Sequence, residues 1–349
     1  MAFNHFSNAQ QLYNWLQEDA GLVVRIYDNY ALIHYDKETS KMDLPHVQQS
    51  RSIIWDTEAN RAICLSPGRG FKNPVVGSKV VRVEEFVDGT MINMFWDRFQ
   101  DRWRIATRTC IDGFNNWHGT RSFHELFMEA FNIKQLDIQG DFKKECWYSF
   151  VLQHPEERIV VTKGTPDLKL VDTNDGSLSP SMISLLPRRF LGLHTLEAVQ
   201  TLVAENDSVN FQGVVYYLEG ENRRFKLRTR AYEFARSMRG NQSKLPYVWL
   251  DHWSTDSLGQ YLEFYPEESE QAASVVDRYL ACVAEMAPLR DQLLVAHTLN
   301  WWDVTRKYKR LLSEFARSGS ASLPAFMKGQ PTARKLWLVN YEERYGMAP

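Results

Sequence analysis

Between residues 22 and 229 the chain is a succession of short β-rich runs, each ended by a turn-forming pair or a Gly/Pro stretch; from residue 266 it turns to long helical periodicity. That switch of period predicts an α+β protein. Antiparallel sheets flanked by helices would occupy residues 1–265, and a helical C-terminal domain would occupy residues 266–349. Paired runs are expected at 22–27 with 31–35 across Asp28-Asn29, and at 52–55 with 62–65 across 56–60, before a Gly/Pro-rich loop at 66–77. Runs at 79–87, 90–96 and 103–107 follow, the first two joined as a hairpin at Asp88-Gly89. Further hairpins are expected at 148–153 with 158–162 across Pro155-Glu156-Glu157, and at 211–218 with 225–229.

The helical signals are sharper. Ser7 can cap a helix over 10–16, and Ser122 with Glu125 offers a capping box for 122–131. Apolar spacing predicts further helices at 195–204 and at 230–239, the latter stopped by Gly240-Asn241, and a last one at 341–344. The C-terminal region reads as a helix over 267–286 with helicity continuing over 289–316 across Pro288.

A chain of 349 residues that is 44% hydrophobic can bury a substantial core, and its 41 basic and 43 acidic residues nearly cancel. Nucleic acid could then be held only by a local basic cleft, not by an overall field. Cys64, Cys110, Cys146 and Cys282 lie far apart with no CxxC pair, which argues against a structural zinc site or a disulfide framework and for a reducing compartment. The first residues lack a basic-then-apolar leader and no apolar run reaches membrane-spanning length, so a soluble cytoplasmic protein without membrane contact is expected. The 11 tryptophans and 15 tyrosines can stack on bases, though most would fill the core.

The most informative stretch is Val83-Glu84-Glu85-Phe86-Val87-Asp88-Gly89-Thr90. Strand alternation puts Glu84, Phe86 and Asp88 on one face, where the two carboxylates can bind a metal, polarise water, or simply be solvated. Later come Ala106-Thr107-Arg108, Pro155 to Val161, Gln212-Gly213-Val214-Val215 and Lys226-Leu227-Arg228, in that order.

The order and spacing of these motifs resemble the ATP-dependent RNA ligases of the covalent nucleotidyltransferase superfamily, over roughly residues 45–245. The resemblance implies a ligase-type nucleotidyltransferase fold. Arg51 matches that family's early nucleotide-holding arginine, and Arg108 matches a phosphate or sugar contact after the nucleophile segment. The nucleophile motif of the family reads Lys-x-Asp-Gly; here it is Phe86-Val87-Asp88-Gly89. The glutamates of its third and fourth motifs are replaced by Val151 and Gln212, whereas Lys226 and Arg228 keep the two phosphate-binding charges of the fifth. Residues 229–241 also resemble versions found in large DNA viruses.

ATP and magnesium are the cofactors that the resemblance implies, with nucleotide or RNA ends as ligands. Phenylalanine has no lone pair with which to attack an α-phosphate, and Val151 and Gln212 offer magnesium no anionic oxygen. The leading expectation is therefore a ligase-like protein involved in RNA repair that binds nucleotide or RNA ends without forming lysyl-AMP. Arg51, Phe86, Asp88, Gly89, Arg108, Gln212, Lys226 and Arg228 would line its cleft, with Glu84 and Asp88 as the remaining candidates for a metal. An active enzyme with a displaced nucleophile is the alternative. Lys163 and Lys226 are candidates for that role, whereas Lys79 would face away, about 23 Å from Phe86 at about 3.3 Å per residue. A third reading makes the C-terminal helices, with Trp301-Trp302 and Arg306-Lys307-Tyr308-Lys309-Arg310, a protein-partner or RNA-backbone surface.

Overall fold

A computed structural model of the chain describes residues 9–18, 20–72, 78–221 and 223–346. Ser7 and the end of the loop at 66–77 lie outside them. The protein is α+β, with antiparallel sheets. It divides into two compact units at Arg236/Ser237.

Among the described residues, three four-stranded sheets build the N-terminal unit. The first runs β1 (Leu22–Tyr27), β2 (Tyr30–Tyr35), β3 (Ile53–Asp56), β4 (Arg61–Leu65), an antiparallel meander joined by the turns expected from sequence. Its central strands, β2 and β3, are buried on both faces. Ala31, Ile33 and Trp55 pack with Leu12 and Leu16 of α1 (Ala9–Glu18), while Tyr30, Leu32 and Ile54 pack with Phe95 and Ala106. A five-residue helix, α2 (Pro45–Gln49), connects β2 to β3.

The middle of the chain departs from the expected hairpins. Strand β5 (Val80–Glu85) and strand β6 (Thr90–Asp97) belong to different sheets, so Asp88-Gly89 is a crossover and not a hairpin turn. Strand β6 pairs with β7 (Arg102–Ala106) and β8 (Tyr148–Gln153), and β8 pairs onward with β9 (Asp167–Thr173). Residues 158–162 form no strand. The amides of Val160 and Val161 donate to the Asp88 carboxylate, 3.0 and 2.9 Å away, leaving neither for a ladder. Helix α3 (Phe123–Ile133) covers this sheet through Phe123, Leu126 and Phe127, and its Ser122–Glu125 capping box is present.

The third sheet has the order β10 (Arg189–Phe190), β5, β11 (Gly213–Leu218), β12 (Arg224–Arg228). All its strands but β5 follow α4 (Pro180–Ser184) in sequence, and it is covered by α5 (Leu196–Glu205), whose Val199 and Val203 pack on Val80, Val214 and Tyr216. Alternation then sends Glu84, Val215, Tyr217, Arg224 and Arg228 to the other face. Helix α6 (Arg230–Arg239) follows β12, with Thr229 Oγ1 accepting from the Tyr232 amide at its start.

The C-terminal unit is helical: α7 (Leu245–Ser254), α8 (Leu258–Phe264), α9 (Ser269–Leu294), α10 (Arg306–Ser318), α11 (Leu323–Lys328), α12 (Thr332–Val339) and α13 (Tyr341–Tyr345). The division falls ahead of the position near 265 expected from sequence, because Trp249, Leu250 and Tyr261 pack into the same core as Tyr279, Met286 and Leu312. Buried Glu268 completes that core by accepting from Trp249 Nε1 and Tyr261 Oη at 2.7 and 2.6 Å while pairing with Arg239. Helix α9 runs through Pro288 but ends at Leu294, so helicity does not continue unbroken to 316. In the basic aromatic stretch, Tyr308 is core, Lys307 is buried between Glu285 and Glu342, and Arg310 pairs with Glu314. Trp302 is 90% exposed. No helix among the described residues is long and apolar enough to cross a membrane.

Candidate functional site

The crossover from β5 to β6 opens a cleft between the second and third sheets. Glu84, Val215 and Tyr217 line one wall and Met91, Val151 and Val171 the other, around a cavity of about 120 Å³. Phe86 and Gln212 sit inside it, with Arg51 entering from the segment after α2 and Tyr232 and Arg236 from α6.

Asp88 fixes this geometry. Its side chain is buried, and one carboxylate oxygen accepts the Val160 and Val161 amides while the other accepts the Tyr232 hydroxyl at 2.6 Å. Gly89 follows at φ +146°, close against the Leu152 carbonyl, where a Cβ would also lie 2.7 Å from Val151 Cγ1. Only glycine fits there. Gly213 is equally confined at φ +123°, beside the Leu227 carbonyl, and its own carbonyl accepts the Phe86 amide at 2.9 Å.

The site is rich in arginine. Arg51, Arg224, Arg228 and Arg236 line the cavity, and among the described residues neither Arg51, Arg228 nor Arg236 has a side-chain acceptor or ion pair. Burial, then the charges of Arg224, Arg108 and Arg228, push the Arg51 pKa down to about 10. Burial and the neighbouring Arg228, Arg69, Lys72 and Arg224 push Lys226 down to about 8. The Arg228 guanidinium lies 5.3 Å over the Phe86 ring and 5.6 Å over Tyr232, and its buried Nε has no partner among the described residues. Burial is the larger cause of these shifts, and the neighbouring cations add to it through a local positive potential.

The acidic groups are differently disposed. Glu84 is held by Arg189 at 3.1 Å and by Arg82 at 3.6 Å, and both Asp88 oxygens are taken. Gln212 is buried, its Oε1 without a partner among the described residues, and Val151 belongs to an apolar cluster with Val87 and Met91. That leaves the Glu85 carboxylate and a neutral amide among arginines, which does not fit a divalent cation. Among the described residues no group of three or more His, Cys, Asp or Glu side chains could hold a metal ion.

Of the residues singled out from sequence, Arg51, Phe86, Asp88, Gly89, Gln212 and Arg228 line the one cavity. Asp88 and Gly89 shape it rather than offer free ligand groups. Arg108 stands apart, 5.8 Å over the Tyr35 ring, and reaches the site only through its charge. Lys226 packs its methylenes against Gly70 and does not line the cavity. Sequence reasoning missed Arg224 and Arg236. The first was legible, since Arg224, Lys226 and Arg228 alternate along β12 and share a face.

Lys226 yields a pH prediction. Its folded pKa of about 8 lies below its free value of 10.5, so its charge opposes folding. That cost is fully present below pH 8 and fades between pH 8 and 10.5, where the unfolded chain binds more protons and stability rises with pH. Thermal melts of the wild type and Lys226→Met should therefore differ most below pH 8, the variant being the more stable, and converge by pH 10.5. A pH-independent difference would contradict the shift.

No family model matches the chain, and no curated protein matches its sequence. Among solved structures it is similar to an archaeal ATP-dependent RNA ligase, with 12% identity and a TM-score of 0.40 over 76% of this chain and 74% of that one. It is similar to a putative ATP-dependent DNA ligase from Aquifex aeolicus, with 13% identity and a TM-score of 0.42 over 89% and 88%. A Naegleria gruberi RNA ligase mutant, whose structure was solved with ATP and Mn, shows 18% identity and a TM-score of 0.30 over 45% and 51%. Likeness at this level assigns no function.

Proposed function

We propose that this chain is a ligase-like protein that holds a nucleotide or the 5′-phosphate of an RNA end in the inter-sheet cavity without forming lysyl-AMP. The observation that carries the reading is the lining around Phe86: four arginines, and no lysine among the described residues that border the cavity. Guanidinium groups bind phosphate through charge-assisted hydrogen bonds but do not attack it, because they stay protonated. Arg51, Arg228 and Arg236 would hold the phosphate. The Phe86 and Tyr232 rings beside Arg228 would present a face for the base, and the Gln212 amide, with no partner for Oε1, would take a donor from the sugar or base. Loss of the lysine amine is compounded by Val151 and Gln212, which give a metal-bound nucleotide no carboxylate.

One observation favours a second reading. Lys226, lowered to about 8 beside this cationic cluster, has the readily lost proton of a nucleophilic lysine. Incubation with α-labelled ATP and magnesium, followed by denaturing electrophoresis, separates the two. The expected result is no labelled protein, together with salt-dependent binding of 5′-phosphorylated RNA. A stable labelled band that Lys226→Ala removes would overturn the non-catalytic reading.

A further inference from the structure

A second cavity, of about 220 Å³, adjoins the first, and Tyr217 and Arg224 line both. It is walled by the end of α2, the segment 67–71 and the start of β12, and Arg69, Arg82, Arg223 and Arg224 face a single carboxylate, Asp172. Burial raises the pKa of that carboxylate, against the opposing charges of Arg224 and Arg82.

The walls are fixed by backbone hydrogen bonds. The Arg69 amide donates to Gln48 O at 2.9 Å, Phe71 N to Arg224 O at 3.0 Å, and Lys226 N to Phe71 O at 2.9 Å. A segment strapped to both α2 and β12 has its backbone in place before any ligand arrives. Two of the arginines are committed to the protein. Arg82 stacks on Tyr217 at 3.7 Å, and Arg223 makes a two-pronged pair with Glu221 at 3.0 and 3.1 Å while lying over Phe71. The other two are not. Among the described residues Arg224 spends only Nε, on the Gly68 carbonyl at 2.9 Å, and exposed Arg69 has no side-chain acceptor.

We infer that the second cavity is a second phosphate subsite, and that the ligand carries two or more phosphate groups held on either side of Arg224 and Tyr217. The inference rests on the reading of the first cavity as a nucleotide or RNA-end site. A nucleoside polyphosphate and a phosphodiester strand share this chemistry.

Calorimetric titration of the full chain with AMP, ATP and 5′-phosphorylated diadenylate tests it. The wild type should bind at least one of the two larger ligands about tenfold more tightly than AMP, the worth of one charge-assisted contact. Arg69→Ala should remove most of that gain, and Arg69→Glu all of it, with AMP affinity changed less than about twofold. Because Arg69 is exposed, both variants should keep the wild-type near-ultraviolet dichroism. An Arg69-dependent gain for ATP alone assigns the subsite to a polyphosphate, and one for diadenylate, alone or with ATP, assigns it to a strand. No gain for either ligand, or a gain that survives Arg69→Glu, overturns the second subsite. Failure of AMP to bind while an Arg69-dependent interaction with ATP persists overturns instead the reading of the first cavity.

Discussion

Gly89→Ala is expected to abolish stable folding of the N-terminal unit. An added methyl group would collide with the Leu152 carbonyl and approach Val151 Cγ1 at 2.7 Å, at a φ of +146° that side chains rarely adopt. Both obstacles belong to strand β8, which is paired on its two sides and cannot yield without breaking a ladder. Backbone strain and overpacking together should cost more than about 4 kcal/mol, a large part of a domain's whole stability. Denaturant melts followed by circular dichroism measure it. A loss below about 1 kcal/mol would mean that the crossover can relax, and that its present course is not fixed by glycine.

The second large effect pairs opposite signs. Arg228→Met removes a charge from a cluster in which burial and the adjacent Arg236 already depress the guanidinium, while keeping an unbranched stem against Phe86 and Tyr232. Stability should rise by about 1 kcal/mol, whereas affinity for a 5′-phosphorylated ligand should fall roughly tenfold to a hundredfold with the loss of its charge-assisted hydrogen bonds. A structural arginine would behave otherwise. If stability and affinity fall together, Arg228 holds the fold, and the cavity loses its claim to be an anion site.

What was legible in the sequence was local. The turn between β1 and β2, the β11–β12 hairpin and the Ser122–Glu125 capping box each depend on neighbours within a few residues, and each is present. What failed was decided by distant partners. Asp88-Gly89 has the composition of a hairpin turn, but Tyr232 and the amides of 160 and 161 draw the aspartate inward and send the chain to another sheet. The same bonds explain why residues 158–162, β-rich by composition, make no strand. At the site, motif order located Arg51, Phe86, Gln212 and Arg228, which share the cavity. Arg236 escaped notice because α6 carries three arginines, Arg230, Arg236 and Arg239, and the sequence gives no sign of which one will meet the cavity.

The Asp88 carboxylate also bears on how the protein reaches its native state. Its donors close chain separations of 72, 73 and 144 residues, so the bonds can form only after β5, β8 and α6 have been brought together. Loop closure of that length precedes any reward from the contact, which makes slow assembly with a late-forming centre the natural course. Substitutions at Asp88 would then act mainly by hastening escape from the folded state, leaving the rate of refolding nearly unchanged.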